Sequence, residues 1–165
     1  MVGEEFEAIY RAHVAHIYGL CLRMTGQSAL AEDCTQECFI AAWRALPTFE
    51  GRSRLSTWLH RIAVNTVLTL RHRRPSDALR QAGELDEAAL QIPGDAEAAG
   101  TLDVEAAMTR LPQGARDVLV LVGVYGHSHE EAAAMLGIAA GTSKAQLHRA
   151  RRLMAQQLGI AMEAA

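Results

Sequence analysis

Apolar residues in this chain recur every three or four positions, and that spacing constrains the fold more than any other feature. Cys34, Cys38, Ala41, Ala42 and Leu46 form one such stripe; Trp58, Leu59, Ile62, Ala63 and Val67 form a second; Val104, Ala107, Met108 and Leu111 form a third. A helix turns once in about 3.6 residues, so this pattern gathers apolar side chains on one face, whereas a half-buried strand needs strict alternation. Aromatic strand formers are also few, with three Phe, three Tyr and two Trp among 165 residues. The expected fold class is all-α.

Glycines, prolines and caps divide the pattern. A first helix is expected from Glu4 to Thr25, ending near Gly26, which can take the left-handed conformation of a C-cap. Ser28, Glu32 and Asp33 open a second helix, which Pro47 stops. After the loop Thr48 to Ser53, a third helix runs from about Leu55 to Arg71. Between Pro75 and about Thr101, Pro75, Gly83, Pro93, Gly94 and Gly100 alternate with acids, a composition that buries too little to fold alone. Two small helical domains are expected, residues 1–74 and 103–165, joined by an acidic flexible linker over 75–102.

The net charge of −3 conceals this division. Residues 1–74 carry nine Arg against seven acids, residues 75–109 one Arg against eight acids, and residues 110–165 six bases against four acids. Two mildly basic modules thus flank an acidic connector, and a nucleic-acid partner is compatible with the acidic total. Acids, not bases, precede the apolar stretch Val14 to Leu22, and His16 interrupts it, which argues against a secretion signal. No run approaches the roughly 18 apolar residues of a membrane span. A cytoplasmic, soluble protein with no direct membrane insertion is expected.

Cys21, Cys34 and Cys38 are an odd set in a reducing compartment. Cys34 and Cys38 share a helix face and could supply half a metal site with His13 or His16, but they fall on the apolar stripe and read as buried thiols. No metal and no cofactor are expected. The sequence also holds no nucleophile motif, phosphate loop or paired-carboxylate site, so neither an enzyme nor a small-molecule substrate is expected.

The run Gly126 to Ile138 is the most readable segment. Ser128 with Glu131 three residues on forms a capping box, in which the two end amides are expected to be satisfied reciprocally. Ala133 followed by Gly137 fits a helix-turn-helix, where a small residue permits the crossing and a glycine the turn. A second helix starting near Gly141 and Thr142 would turn Ser143, Leu147, Ala150 and Met154 inward, with Lys144, Ala145, His148, Arg149, Arg151 and Arg152 outward. A short basic helix after such a turn suits a DNA major groove.

Two longer motifs carry a family resemblance. The first is Ala31-Glu32-Asp33-Cys34-Thr35-Gln36-Glu37-Cys38-Phe39-Ile40, then Trp43-Arg44-Ala45-Leu46, Phe49, Gly51 and Trp58-Leu59-His60-Arg61-Ile62-Ala63-Val64-Asn65. The second is Leu111-Pro112 with Arg116, then Leu136 to Arg151. In this order they closely resemble the second and fourth conserved regions of extracytoplasmic-function sigma factors, over about 110 residues.

The resemblance implies that the chain binds core RNA polymerase and promoter DNA. Polymerase contact would fall to Asp33, Gln36, Glu37, Phe39, Trp43 and Arg44. Contact with the minus-ten element would fall to Phe49, Arg52, Ser53, Arg54, Arg61 and Asn65, with Trp58 in the core. The minus-thirty-five element would meet Thr142, Lys144, Ala145, His148, Arg149 and Arg152. An anti-sigma factor is implied as a further partner. Ser143, Ala145, Gln146 and Val122-Gly123 depart from the family's usual residues, which leaves the promoter sequence open. A helix-turn-helix regulator without polymerase docking would leave the first motif unexplained, and a redox protein built on the cysteines has no second cluster to support it.

Overall fold

A computed structural model of the chain describes residues 2–73 and 98–159, and every regular element among them is helical. Helix α1 spans Val2–Thr25, α2 Ser28–Ala45 and α3 Leu55–Arg73. Helix α4 spans Ala98–Thr109 and α5 Gln113–Val118, followed by a π-helical turn over Leu119–Val124. Helices α6, His129–Leu136, and α7, Ala140–Leu158, complete the described fold. Residue 74 and, of the expected linker over 75–102, residues 75–97 lie outside the described residues, while residues 98–102, expected to be flexible, form the first turns of α4.

The stops act as the sequence suggests. Gly26 has φ +70°, and its amide closes α1 on Leu22 O at 2.8 Å. Pro47 ends α2 by forcing a single 3-10 turn over Leu46–Thr48. The stripes then meet: α1, α2 and α3 pack pairwise into a bundle. Ile17, Leu20 and Met24 from α1, Cys34 and Cys38 from α2, and Leu59, Val64 and Val67 from α3 are at most 1% exposed.

The second unit does not stand apart from the first. Met108, Val120, Leu121 and Ala132 belong to the same core as the bundle, while Leu111, Ala115 and Ala150 form a smaller core of their own. Polar side chains lock the contact. Arg71 donates through both terminal nitrogens to Asp117 at 2.7 and 3.0 Å, and also to Met24 O at 2.6 Å. Arg23 donates to Glu105 and to the Tyr125 hydroxyl. Burying such ions is costly unless each is paired and its donors are filled, and these two pairs meet that condition.

The π-helical turn has a local cause. Tyr125 N bonds to Val120 O and His127 N to Leu121 O, each at 3.0 Å, which widens the coil by at least one residue. A Cβ on Gly123 would fall 2.9 Å from the terminal methyl Cδ1 of Leu119, so a larger residue there would need that side chain to move.

Candidate functional site

Helix α2 presents one polar edge. Asp33, Gln36, Glu37 and Arg44 are exposed, because the apolar stripe of Cys34, Cys38 and Ala42 fixes which face turns inward. Beside that edge lies an apolar groove of about 370 Å³, lined by Phe6 and Tyr10 of α1 and by Gln36, Phe39, Ile40 and Trp43 of α2. Phe6 meets Trp43 edge-on at 5.0 Å and Tyr10 meets Phe39 edge-on at 4.9 Å. Tyr10, Ile40 and Trp43 are exposed, unusual for large apolar side chains grouped together. Phe39, expected at a protein contact, is 4% exposed: it forms the floor of the groove and supports the aromatic wall rather than presenting itself.

A second set of residues lies around the start of α3. Arg52, Arg54, Arg61 and Asn65 are exposed and Ser53 is half-buried, giving an open basic strip across loop and helix. Trp58 is half-buried against the bundle, and Phe49 lies on it with ring centres 4.8 Å apart. Phe49 is therefore packed on its neighbour in this structure, while the arginines are free of the core.

In the second unit, Ser128 Oγ accepts from Glu131 N at 3.0 Å and caps α6. The Glu131 carboxylate in turn interacts with the Ser128 backbone amide, as the capping box suggests. It is held by the Ser128 hydroxyl at 3.2 Å and by His127 Nδ1 at 3.1 Å, and the His127 bond is the larger reason its pKa is lowered. Gly137 has φ +69° and makes the turn behind Ala133, which is buried. Helix α7 then buries Ser143, Leu147 and Ala150, with Met154 half-buried. Thr142, Lys144, Ala145, His148, Arg149 and Arg152 all face outward, and so does Arg151. The buried Ser143 hydroxyl is matched by His129 Nδ1 at 2.8 Å, which makes a serine tolerable at a position otherwise suited to an apolar residue.

The three thiols are free and buried together. Burial, with the nearby Cys34, pushes Cys38 up to about 12, and a hydrogen bond with Cys34 together with burial raises Cys21. Cys21 and Cys38 therefore stay protonated at neutral pH, whereas the hydrogen bond with Cys21 lowers Cys34 from the ordinary thiol value.

One polar array was not visible in the sequence. His16 Nε2 lies 3.0 Å from His60 Nε2, and His60 Nδ1 lies 2.7 Å from His127 Nε2. With the His127–Glu131 bond, these groups form a continuous relay from α1 through α3 to the loop before α6. Two of its links join residues 44 and 67 positions apart, beyond the reach of any local pattern.

Comparison with known proteins matches residues 9–76 to Sigma-70 region 2 and residues 101–154 to Sigma-70, region 4. The ECF RNA polymerase sigma factor SigE of Mycolicibacterium smegmatis is 34% identical over 166 residues, spanning 93% of this chain and 61% of that protein. The RNA polymerase sigma factor CarQ of Myxococcus xanthus is 31% identical over 157 residues, spanning 94% of this chain and 90% of CarQ. The solved structure of the sigma factor RpoE of Bartonella quintana, in complex with the anti-sigma factor NepR, superposes with a TM-score of 0.78 at 25% identity. That superposition covers 96% of this chain and 99% of RpoE.

Proposed function

The chain belongs to the extracytoplasmic-function sigma factors, and from that premise we propose how its surfaces divide the work of bringing core RNA polymerase to particular promoters. The polar edge of α2, with Asp33, Gln36, Glu37 and Arg44, together with the exposed Trp43, is the polymerase-docking face. Carboxylates and an amide in a row pair with a basic helical partner, yet remain solvated when the protein is free.

Promoter contact is divided between the two units. Arg52, Ser53, Arg54, Arg61 and Asn65 hold the minus-ten element, where guanidiniums and hydroxyls can steady phosphates and an unstacked base. Phe49 takes part only once it leaves Trp58. Thr142, Lys144, Ala145, His148, Arg149 and Arg152 meet the minus-thirty-five element through the major groove, where a forked arginine can read a guanine edge. Residues 1–74 and 103–165 serve as the two functional domains, with 75–102 as the connector. The protein acts in the cytoplasm, catalyses nothing itself, and is held in reserve by an anti-sigma factor.

The observation that carries this reading is the pairing of an exposed carboxylate and amide row on α2 with an exposed basic face on α7. Asp33→Arg combined with Gln36→Ala should weaken binding to core polymerase while leaving the helical circular dichroism unchanged, because a cation would then face the basic partner. Undiminished affinity in a binding titration removes α2 from the interface.

A further inference from the structure

A cavity of about 280 Å³ opens where the two units meet, lined by three arginines alongside the apolar Leu30, Leu111 and Pro112. Thr25 and Gln27 come from the α1–α2 turn, Arg71 from the end of α3, and Arg110, Gln113 and Arg116 from around α5. Arg71 is already committed to Asp117. Among the described residues, Arg110 and Arg116 have no carboxylate partner, so the cavity keeps an excess of positive charge.

Arg116 is the informative member. It is 8% exposed, and among the described residues one of the five guanidinium donors is used, in a 3.3 Å bond from Nη1 to Thr109 O. Its Nε is buried with no hydrogen-bond partner. The same Nη1 lies beside the α1–α2 turn, where a Cβ on Gly26 would come within 3.6 Å. A cation so placed, next to the like charge of Arg71, is costly to bury, and burial with that neighbour holds its pKa below the ordinary arginine value.

The amino terminus of α2 adds to the field. Gln27 provides no side-chain cap, and no acid lies in the first turn, so the positive end of an 18-residue helix dipole meets the cavity. Guanidiniums together with a helix amino terminus suit an oxyanion, and phosphate binding at helix amino termini is a recurrent use of that field. The volume falls just below the ~300 Å³ at which ordinary ligand pockets begin, so a compact group fits.

We propose that this cavity binds a small phosphate compound, either inorganic phosphate or pyrophosphate or the phosphate end of a nucleotide. The site is independent of the polymerase and promoter surfaces, and because its walls come from both units, the bound anion ties them together.

Calorimetric titration of the full chain with phosphate, pyrophosphate and adenosine diphosphate, against sodium chloride at equal ionic strength, tests this. Saturable one-to-one binding of at least one phosphate compound is expected, with a raised melting temperature. Stronger binding of pyrophosphate than of the nucleotide identifies the free anion, and the reverse identifies the nucleotide. Arg110 is exposed, so Arg110→Ala should remain folded and weaken binding roughly tenfold or more, as expected for loss of a charged hydrogen bond. Arg116→Lys, which keeps the charge but loses the fork, should weaken it as well. Arg149→Ala and Arg152→Ala, on the outer face of α7, should leave it unchanged. The proposal is overturned by heats no larger than those of sodium chloride. It is equally overturned if binding survives Arg110→Ala but disappears with the α7 variants, since the anion then sits on the DNA-facing helix.

Discussion

Lowering the pH from 7.5 to 5.5 should destabilise this protein through His60. The imidazole is 5% exposed, and its neighbours define its protonation. Glu131 accepts from His127 Nδ1, which leaves His127 Nε2 to accept from His60 Nδ1; His60 Nε2 then accepts from His16 Nε2. His60 is neutral in this assignment, and the edges of the relay are closed by Tyr125 lying edge-on to His16 and His60. A second proton on His60 has to enter at Nε2, against the hydrogen of His16. Burial, followed by the charges of His127, His16 and His13, lowers the His60 pKa from 6.5 to about 3.

The unfolded chain therefore binds one more proton than the native protein between those values. The stability present above pH 6.5 falls as the pH drops toward 3, at up to about 1.4 kcal/mol per unit. Between pH 7.5 and 5.5, His60 alone should remove about 1.4 kcal/mol. His16, lowered chiefly by burial, acts with the same sign, whereas the lowered Glu131 contributes only below its ordinary value of 4.5. Urea unfolding at the two pH values measures the loss, and His60→Gln should remove most of it. An equal pH dependence in His60→Gln would show that the relay is not the titrating group.

Arg71→Ala should destabilise the fold by about 3–5 kcal/mol in urea unfolding, because Asp117 is left buried without its partner. Replacing Cys34 and Cys38 with Ala should lower the melting temperature by opening cavities, yet leave promoter-directed transcription intact where the variant remains folded. Arg149→Ala should relax base preference within the minus-thirty-five element, by roughly 1–3 kcal/mol of discrimination, in a selection on randomised upstream sequences. Arg152→Ala should instead weaken all promoters alike and flatten the salt dependence of binding.

The sequence carried the local structure well, because helix starts, stops and faces are written in nearby residues. Pro47, Gly26 and Gly137 stand where the chain turns, and Ser128 caps α6 as its spacing requires. The outward residues of α7 follow directly from the inward stripe of Ser143, Leu147 and Ala150. Periodicity shows which face is apolar but not what covers it, and this is where the reading stopped. The burial of Met108, Val120 and Leu121 with the first unit, the Arg71–Asp117 pair 46 residues apart, and the histidine relay all depend on long-range placement. The packing of Phe39 against Tyr10 and of Phe49 against Trp58 was likewise not legible in the motifs that contain them.

Transcription of a genomic library by purified core polymerase, with and without the protein, tests the central claim most directly. The account predicts new transcripts whose start sites share a two-part upstream element, lost when Asp33→Arg and Gln36→Ala are combined. Folded protein that yields no new start sites with its own core polymerase would contradict it.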